Sequence, residues 1–338
     1  MASDGGRPLA AGVIGLGAMG VNHARVYGEM AGVELVAVAD PAPDRRSLVA
    51  PGGSPRAYAD YREMLARERL DLVSVAVPTR LHREVAQATL ERRVATLVEK
   101  PIAGEPEEGR AILAAAQEAG CLLMVGHVER FNPAVQELKR RLEAGELGRV
   151  FLARAERVGP FPQRIRDVGV VQDLATHDID VMRFLLASDV ERVYAETQAG
   201  LRTEHEDLLS AVMRFRGGVV GLLEVNWLTP TKVRRLALVG EAGMFVADYL
   251  TQELLFYERE SAGAACSPGE GIRIPVEKKE PLRAELEAFV ASVARGSPSP
   301  VPAEEALAAL EVATCLVESG RTGRVVQVGT QPIDQSEV

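Results

Sequence analysis

The chain has 338 residues, 47% of them hydrophobic and 26% charged, with a formal net charge of −9. That length allows two domains with cores of their own, and the acidic balance excludes nucleic-acid or membrane-surface binding driven by bulk electrostatics. Cys121, Cys266 and Cys315 are too few and too far apart for a disulfide framework or a zinc site. No apolar run approaches the roughly 18 residues of a membrane span. The apolar stretch after Arg7 is broken by glycines and preceded by Asp4, unlike a signal peptide. A cytoplasmic protein is the expectation.

Leu9–Ile14 reads as a buried strand. It runs into Gly15-Leu16-Gly17-Ala18-Met19-Gly20, then into a helical pattern from Val21 to Met30. A second apolar run, Val33–Ala39, ends on Asp40. Strand, glycine turn, helix, strand and acid in this order are the parts of a dinucleotide site. Gly15 permits the tight turn, Gly17 lets a pyrophosphate approach the backbone, and Gly20 lets helix and strand pack closely. The helix N-terminus offers N–H groups and a positive dipole end to the phosphates. Asp40 is placed to accept ribose hydroxyls and to repel a 2′-phosphate, which favours NAD over NADP. Arg45 and Arg46 weigh the other way.

A short helix follows to Leu48, then a Pro- and Gly-rich loop at 51–55 and a helix entered near Tyr58. Leu72–Val77 is a near-continuous apolar run, as in a central parallel strand, ending at Pro78-Thr79. A helix to about Leu90, a strand at Val94–Val98 ending in Glu99-Lys100-Pro101, a helix at 105–119 and a strand at 121–125 complete the first half. Strands alternating with helices make residues 1–126 a Rossmann-type doubly wound parallel sheet. Ligands of such sheets bind outside the carboxyl ends of the strands. Asp40, Pro78, Thr79, Glu99 and Lys100 all fall there.

Beyond residue 126 the pattern changes. Helices are expected at Asn132–Leu142 and Gln172–Leu186. Strands are expected at 149–157, 192–198, 208–215, 219–226, 234–239, 244–248, 253–257 and 272–276, with Gly217-Gly218 as a hairpin signal. Helices at 281–296 and 303–319 and a short strand at 323–328 follow. Consecutive strands without helices between them imply a large open mixed or antiparallel sheet. Residues 127–330 therefore read as an α+β substrate-binding and oligomerisation domain, whose last helices can pack back on the first.

The stretch from Gly159 to Asp180 concentrates polar chemistry. On a helix, Asp173 and His177 are four apart and share a face, above a buried stripe of Leu174, Val181 and Leu185. A carboxylate beside an imidazole can fix its tautomer and raise its basicity, which suits proton abstraction from an alcohol. His177, Asp178 and Asp180 are also potential metal ligands, but neighbours on a helix point about 100° apart and cannot easily share one ion, so no metal is expected. Arg164 and Arg166, in the loop before this helix, could grip a phosphate; taken alone they read equally as a solvated loop. Asn226-Trp227, followed by Lys232, is either a binding platform or a packed hairpin end.

Gly15-Leu-Gly-Ala-Met-Gly20, Pro78-Thr-x-x-His82, Glu99-Lys100-Pro101, Gly126-His-x-x-Arg130-Phe-Asn132 and Asp173-x-x-x-His177 together resemble the Gfo/Idh/MocA oxidoreductase family. The resemblance implies an NAD-dependent sugar dehydrogenase with Lys100, Asp173 and His177 at the chemistry. His82 joins the cofactor residues, and Arg130, Asn132, Arg164, Arg166, Asn226, Trp227 and Lys232 join the substrate residues. Members often carry two adjacent glycines before the Asp; this chain has Gly169-Val-Val-Gln-Asp173. Gly126–Pro133, Gly159–Gly169 and Val225–Lys232 are similar to the branch that oxidises C3 of UDP-N-acetylglucosamine. That implies a UDP-sugar substrate, an aminotransferase acting downstream, and a homodimer or homotetramer built through the C-terminal sheet. The alternatives are an inositol, polyol or free-sugar dehydrogenase, an NAD-dependent glycosidase, and a cofactor sensor without activity.

Overall fold

The computed structural model describes residues 7–49, 54–162, 168–200, 204–259 and 271–329. They form two compact units. Met1–Val128 with Glu280–Ala308 make the first, and Glu129–Lys279 with Ala309–Val338 make the second.

In the first unit, strands β1 (Leu9–Ile14), β2 (Val33–Ala39), β3 (Arg56–Tyr58), β4 (Leu72–Val75), β5 (Ala95–Glu99) and β6 (Leu123–Gly126) alternate with helices. These are α1 (Ala18–Glu29), α2 (Pro43–Val49), α3 (Tyr61–Arg67), α4 (His82–Glu91) and α5 (Pro106–Ala119). The strands are parallel, in the order β3-β2-β1-β4-β5-β6. This is the doubly wound order, with its reversal between β1 and β4, where such sheets bind ligands. All four residues of β4 are buried, as expected of a strand covered on both faces. The strand stops two residues short of the apolar run through Val77. There the backbone of Ala76 and Val77 lies directly against Gly15: a Cβ on Gly15 would stand 2.6 Å from the Ala76 carbonyl oxygen. Helix α1 starts three residues earlier than expected, because Ala18–Gly20 form its first turn.

The second unit holds α6 (Pro133–Glu143), β7 (Val150–Pro160), α7 (Thr176–Leu186), β8 (Val190–Ala199), β9 (Glu206–Phe215), β10 (Val220–Asn226), β11 (Leu228–Gly240), β12 (Gly243–Asp248), β13 (Glu253–Glu258) and β14 (Ile272–Ile274). Helices α8 (Pro281–Arg295) and α9 (Ala303–Thr322) follow, and β15 (Val326–Gln327) ends the described chain. Nine strands make one sheet, β14-β13-β12-β11-β7-β10-β9-β8-β15. Only the β7–β10 pair is parallel. Gly217 and Gly218, at φ +86° and +95°, turn β9 into β10. One face of the sheet carries the core with α6, α7 and the later part of α9, including Leu138, Ile179, Val181, Leu236, Leu238 and Leu316. Helix α8 belongs to the first unit, where Glu280 pairs with Arg25, and Arg283 with Glu29.

The continuous helix expected over Gln172–Leu186 is a π-helical turn at Val171–Ala175 leading into α7. Leu174, Val181 and Leu185 are buried as a stripe. Among the described residues no helix is long and apolar enough to cross a membrane.

Candidate active site

The glycine turn of the first unit has the shape of a phosphate cradle. Gly15 sits at φ +89°, a backbone region that residues with a side chain rarely adopt. A Cβ on Gly20 would stand 1.8 Å from the Gly15 carbonyl oxygen, so only glycine fits. A Cβ on Gly17 would meet nothing within 4 Å. Gly17 is thus not required by packing, and its open side is where a pyrophosphate can approach. It is also the N-cap of α1 and supplies no side-chain cap, which leaves the N–H groups of the first turn to a ligand. These residues fit a dinucleotide.

Asp40 follows β2 and is 3% exposed. Its carboxylate accepts the Leu16 N–H at 2.7 Å and the Ala42 N–H at 2.8 Å. The Leu16 amide, expected at the cofactor, is therefore engaged by Asp40, and its side chain is buried. Each carboxylate oxygen keeps a second lone pair for a ribose hydroxyl. Arg45 lies 3.6 Å from the same carboxylate, and Arg46 donates to the Asp40 carbonyl at 2.6 Å.

At the next strand ends, Pro78 is exposed and Thr79 half-buried. His82 is expected at the cofactor. It is 1% exposed, with Nδ1 2.9 Å from the Pro101 carbonyl oxygen and Nε2 3.0 Å from that of Val77. Burial holds its pKa below the ordinary histidine value, and a neutral ring donates to one of these carbonyls at a time. His82 ties the loop after β4 to the loop after β5.

Glu99 is buried. One carboxylate oxygen accepts from His23 Nε2 at 2.9 Å, the other from the Lys100 N–H at 3.2 Å. His23 Nδ1 lies 2.9 Å from Ser74 Oγ, which is 2.8 Å from the Tyr27 hydroxyl. One donor direction satisfies the chain: Tyr27 to Ser74, Ser74 to His23, His23 to Glu99. Burial pushes the Glu99 pKa up, but its hydrogen bond to His23 and the nearby positive charges outweigh this and hold it below the ordinary glutamate value. Glu99 thus fixes the backbone of Lys100 from a network anchored on α1, a structural role beside the cofactor contact expected of it. Nothing in the pattern around Glu99 signals His23; its one signal is a polar residue on the face of α1 shared with Gly20, Ala24 and Tyr27.

In the second unit, Asp173 lies in the π turn and is 9% exposed; His177 opens α7 and is half-buried. A π turn changes the angular spacing of residues four apart, so an ideal α-helical face is not how the two are related. Such turns recur at functional sites. Gly169 lets the Glu206 carboxylate lie against the chain just ahead, where Glu206 accepts the Val171 N–H at 3.2 Å.

Beneath α7 lie two buried ion pairs. Arg130 holds Asp180 through two bonds of 2.8 and 2.6 Å. Arg157 holds Asp178 through bonds of 2.6 and 3.1 Å, and Glu129 at 3.0 Å. Burial works against the charge of Arg157, but Asp178 and Glu129 outweigh it and hold its pKa above the usual arginine value. Arg130, expected at the substrate, is 5% exposed and serves Asp180. Asn132 is likewise structural: its Oδ1 caps α6 at the Ala134 N–H and its Nδ2 donates to the Tyr249 carbonyl. Asn226, also expected at the substrate, is engaged within the fold. Its Oδ1 takes the N–H groups of Leu228 and Thr229 and the Thr229 hydroxyl, closing the β10–β11 turn. Trp227 is 2% exposed, edge-on to Phe161 at 5.4 Å, and Lys232 is exposed. Arg164 and Arg166 lie outside the described residues.

A phosphate-cradling doubly wound sheet followed by an Asp/His-bearing α+β unit defines a nicotinamide-dependent oxidoreductase. Comparison with known proteins gives the family. Residues 9–127 match the NAD-binding Rossmann domain of the Gfo/Idh/MocA oxidoreductases, and residues 135–246 match a C-terminal domain of the same group. The chain belongs to this family, and NAD is its cofactor. It is 32% identical over 294 residues to UDP-N-acetylglucosamine 3-dehydrogenase of Acidithiobacillus ferrooxidans, covering 86% of this chain and 90% of that one. It is 27% identical over 329 residues to scyllo-inositol 2-dehydrogenase (NAD(+)) of Bacillus subtilis, covering 94% and 95%. A solved structure of the Acidithiobacillus ferrooxidans UDP-N-acetylglucosamine 3-dehydrogenase superposes with a TM-score of 0.83 at 29% identity, covering 92% of this chain and 97% of that one.

Proposed function

We propose that this enzyme oxidises a ring hydroxyl of a UDP-sugar to a ketone, with C3 of UDP-N-acetylglucosamine as the leading substrate. The supporting observation is 32% identity to a UDP-N-acetylglucosamine 3-dehydrogenase across 86% of the chain. Inositol and free-sugar oxidation is the second reading, favoured by the relative of that activity matched over 94% of the chain. NADH formation measured across UDP-N-acetylglucosamine, N-acetylglucosamine, inositols and free aldoses separates the two. Turnover of inositols with none of the UDP-sugar defeats the first.

Bound NAD supplies the hydride acceptor; Gly15–Gly20 and Asp40 are the residues that would hold it. The protein must remove the hydroxyl proton. His177 is the base in this reading, and Lys100 donates to the same oxygen, stabilising a developing alkoxide. His177→Asn lowers kcat by about 10²–10⁴ with NAD binding intact, whereas Lys100→Met impairs turnover and raises KM as well. A near-normal His177→Asn beside an inactive Lys100→Met transfers the base role to Lys100.

The helix-free face of the nine-stranded sheet carries Val212, 46% exposed, and a depression where Met244, Val246, Leu255 and Tyr257 stand among the charged Arg154, Glu156, Arg235, Asp248 and Glu253. This mixed apolar and charged surface supports pairing of copies through this face. Light scattering tests it: a monomer at micromolar concentration rejects it. An aminotransferase that consumes the keto-sugar is the partner reaction this substrate implies.

A further inference from the structure

The second unit contains a guanidinium, that of Arg234, with one nitrogen left without an acceptor among the described residues. Arg234 on β11 stands opposite Arg157 of β7 in the register, and Arg157 stands opposite Val225 of β10. Residues opposite one another share a face, and Val225 belongs to the helix-covered core. Arg234 therefore points to the side of the sheet that carries α7. The two arginines differ sharply. Arg157 is neutralised by Asp178 and Glu129. Arg234 Nη1 is sealed from solvent with no hydrogen-bond partner, and Arg234 forms no ion pair among the described residues.

Its surroundings make this charge costly. Burial, and then the positive charge of Arg157, push the Arg234 pKa down to about 10, against smaller opposing influences from Asp178, Glu129 and Asp173. It stays charged at neutral pH. Two residues beyond Val225 on the same face, the Trp227 indole N–H is also buried without an acceptor. The Tyr249 hydroxyl, whose ring lies against Arg157, is likewise buried without a partner among the described residues; it can donate or accept, whereas the guanidinium and the indole are donors only. What Arg234 lacks is an anionic acceptor, and a planar guanidinium is best completed by a carboxylate or phosphate. The register turns Arg234 to the side of the sheet that carries α7, whose first turn holds His177.

We propose that Arg234 is a substrate-binding residue that receives an oxyanion of the substrate, a phosphate or a carboxylate. This deepens the UDP-sugar reading by naming a residue that separates charged from neutral sugars. Arg234 holds the anion while the reacting hydroxyl is left to Asp173 and His177, so its loss falls on KM more than on kcat.

The experiment uses the full-length enzyme with Arg234→Gln and Arg234→Lys. It measures kcat and KM with UDP-N-acetylglucosamine, glucuronate, N-acetylglucosamine and myo-inositol, inhibition by UDP, NAD affinity by calorimetry, and Tm. For an anionic substrate, Arg234→Gln raises KM by about ten-fold or more. It changes kcat less than about three-fold, leaves NAD affinity as it was, and raises KM for neutral substrates by much less than for anionic ones. Arg234→Lys recovers part of the loss. Weaker UDP inhibition in Arg234→Gln assigns the phosphate. A KM increase for glucuronate without weaker UDP inhibition assigns a carboxylate. An unchanged KM, or an equal fall for anionic and neutral substrates, overturns the proposal. Wild-type enzyme inactive on UDP-N-acetylglucosamine defeats the UDP-sugar reading by itself. Arg234 is then judged on the best substrate of the panel, and a neutral best substrate that Arg234→Gln handles normally overturns it too.

Discussion

Two polar networks, one in each unit, are completed to different degrees. In the first unit, Tyr27, Ser74, His23 and Glu99 form one chain, and Asp40 takes two backbone N–H groups. In the second, two arginines are fully paired beneath α7, while Arg234 Nη1 and the Trp227 indole N–H remain without acceptors. Buried polar atoms are almost always partnered, so an exception calls for a reason. The cofactor has one chemistry, and a cradle made of glycine shape and backbone N–H groups can be complete before it arrives. A substrate contributes the oxygens that complete its own site, so donors there stand open.

The largest effect that tests this contrast is on stability. Arg157→Met leaves Asp178 as an uncompensated buried charge and should cost about 3–5 kcal/mol. Arg234→Met removes a cation with no ion pair among the described residues and should leave Tm unchanged or raise it. Denaturant unfolding of both variants decides. A comparable loss in Arg234→Met would mean that Arg234 belongs to the scaffold after all.

A smaller effect separates shape from function within the glycine turn. Gly20→Ala drives a methyl group into the Gly15 carbonyl and should cost about 1–3 kcal/mol as well as NAD binding. Gly17→Ala meets open space, so the apoprotein should keep its Tm while NAD affinity falls about ten-fold or more, a loss of ~1.4 kcal/mol. Equal Tm losses in both would place Gly17 in the scaffold and remove the reason for its open side.

These tests also mark what was legible in the sequence. Five of the six parallel strands, the strands of the mixed sheet and the glycine turn follow from local pattern: apolar runs, alternation and glycine spacing; the three-residue β3, expected as the entry to a helix near Tyr58, carries no such pattern. The π turn before α7 leaves no such mark, because Val171–Ala175 reads as ordinary helix. The pairing of polar residues was the least legible part. His23 and Glu99 are 76 positions apart, and Arg130 and Asp180 are 50 apart. A motif position cannot tell whether its side chain faces a ligand or a distant partner. Arg130, Asn132 and Asn226, expected at the substrate, each bond a partner within the unit that their motifs do not announce. Arg234 carries no local signal at all, since basic residues also precede and follow it at Arg235 and Lys232.

The smallest effect concerns the choice between NAD and NADP, and it rests on Asp40 having two tasks. Its carboxylate holds the turn through Leu16 and Ala42, and its negative charge opposes a 2′-phosphate at close range. Asp40→Asn keeps a carbonyl oxygen for one of the two N–H groups and removes the charge. Asp40→Ser removes the charge and shortens the reach to Leu16. Both should narrow the ratio of NADP to NAD dissociation constants by about ten-fold, ~1.4 kcal/mol, and Asp40→Ser alone should also weaken NAD through the loosened turn. Arg45 now lies 3.6 Å from the carboxylate; without that partner it can turn to a phosphate. Adding Arg45→Ala to Asp40→Ser should then return part of the lost discrimination. Equilibrium titration of both cofactors into the four proteins measures this. Tighter NADP than NAD binding by the unmodified enzyme, or a ratio that neither substitution moves, would take selectivity away from Asp40 and leave it the turn alone.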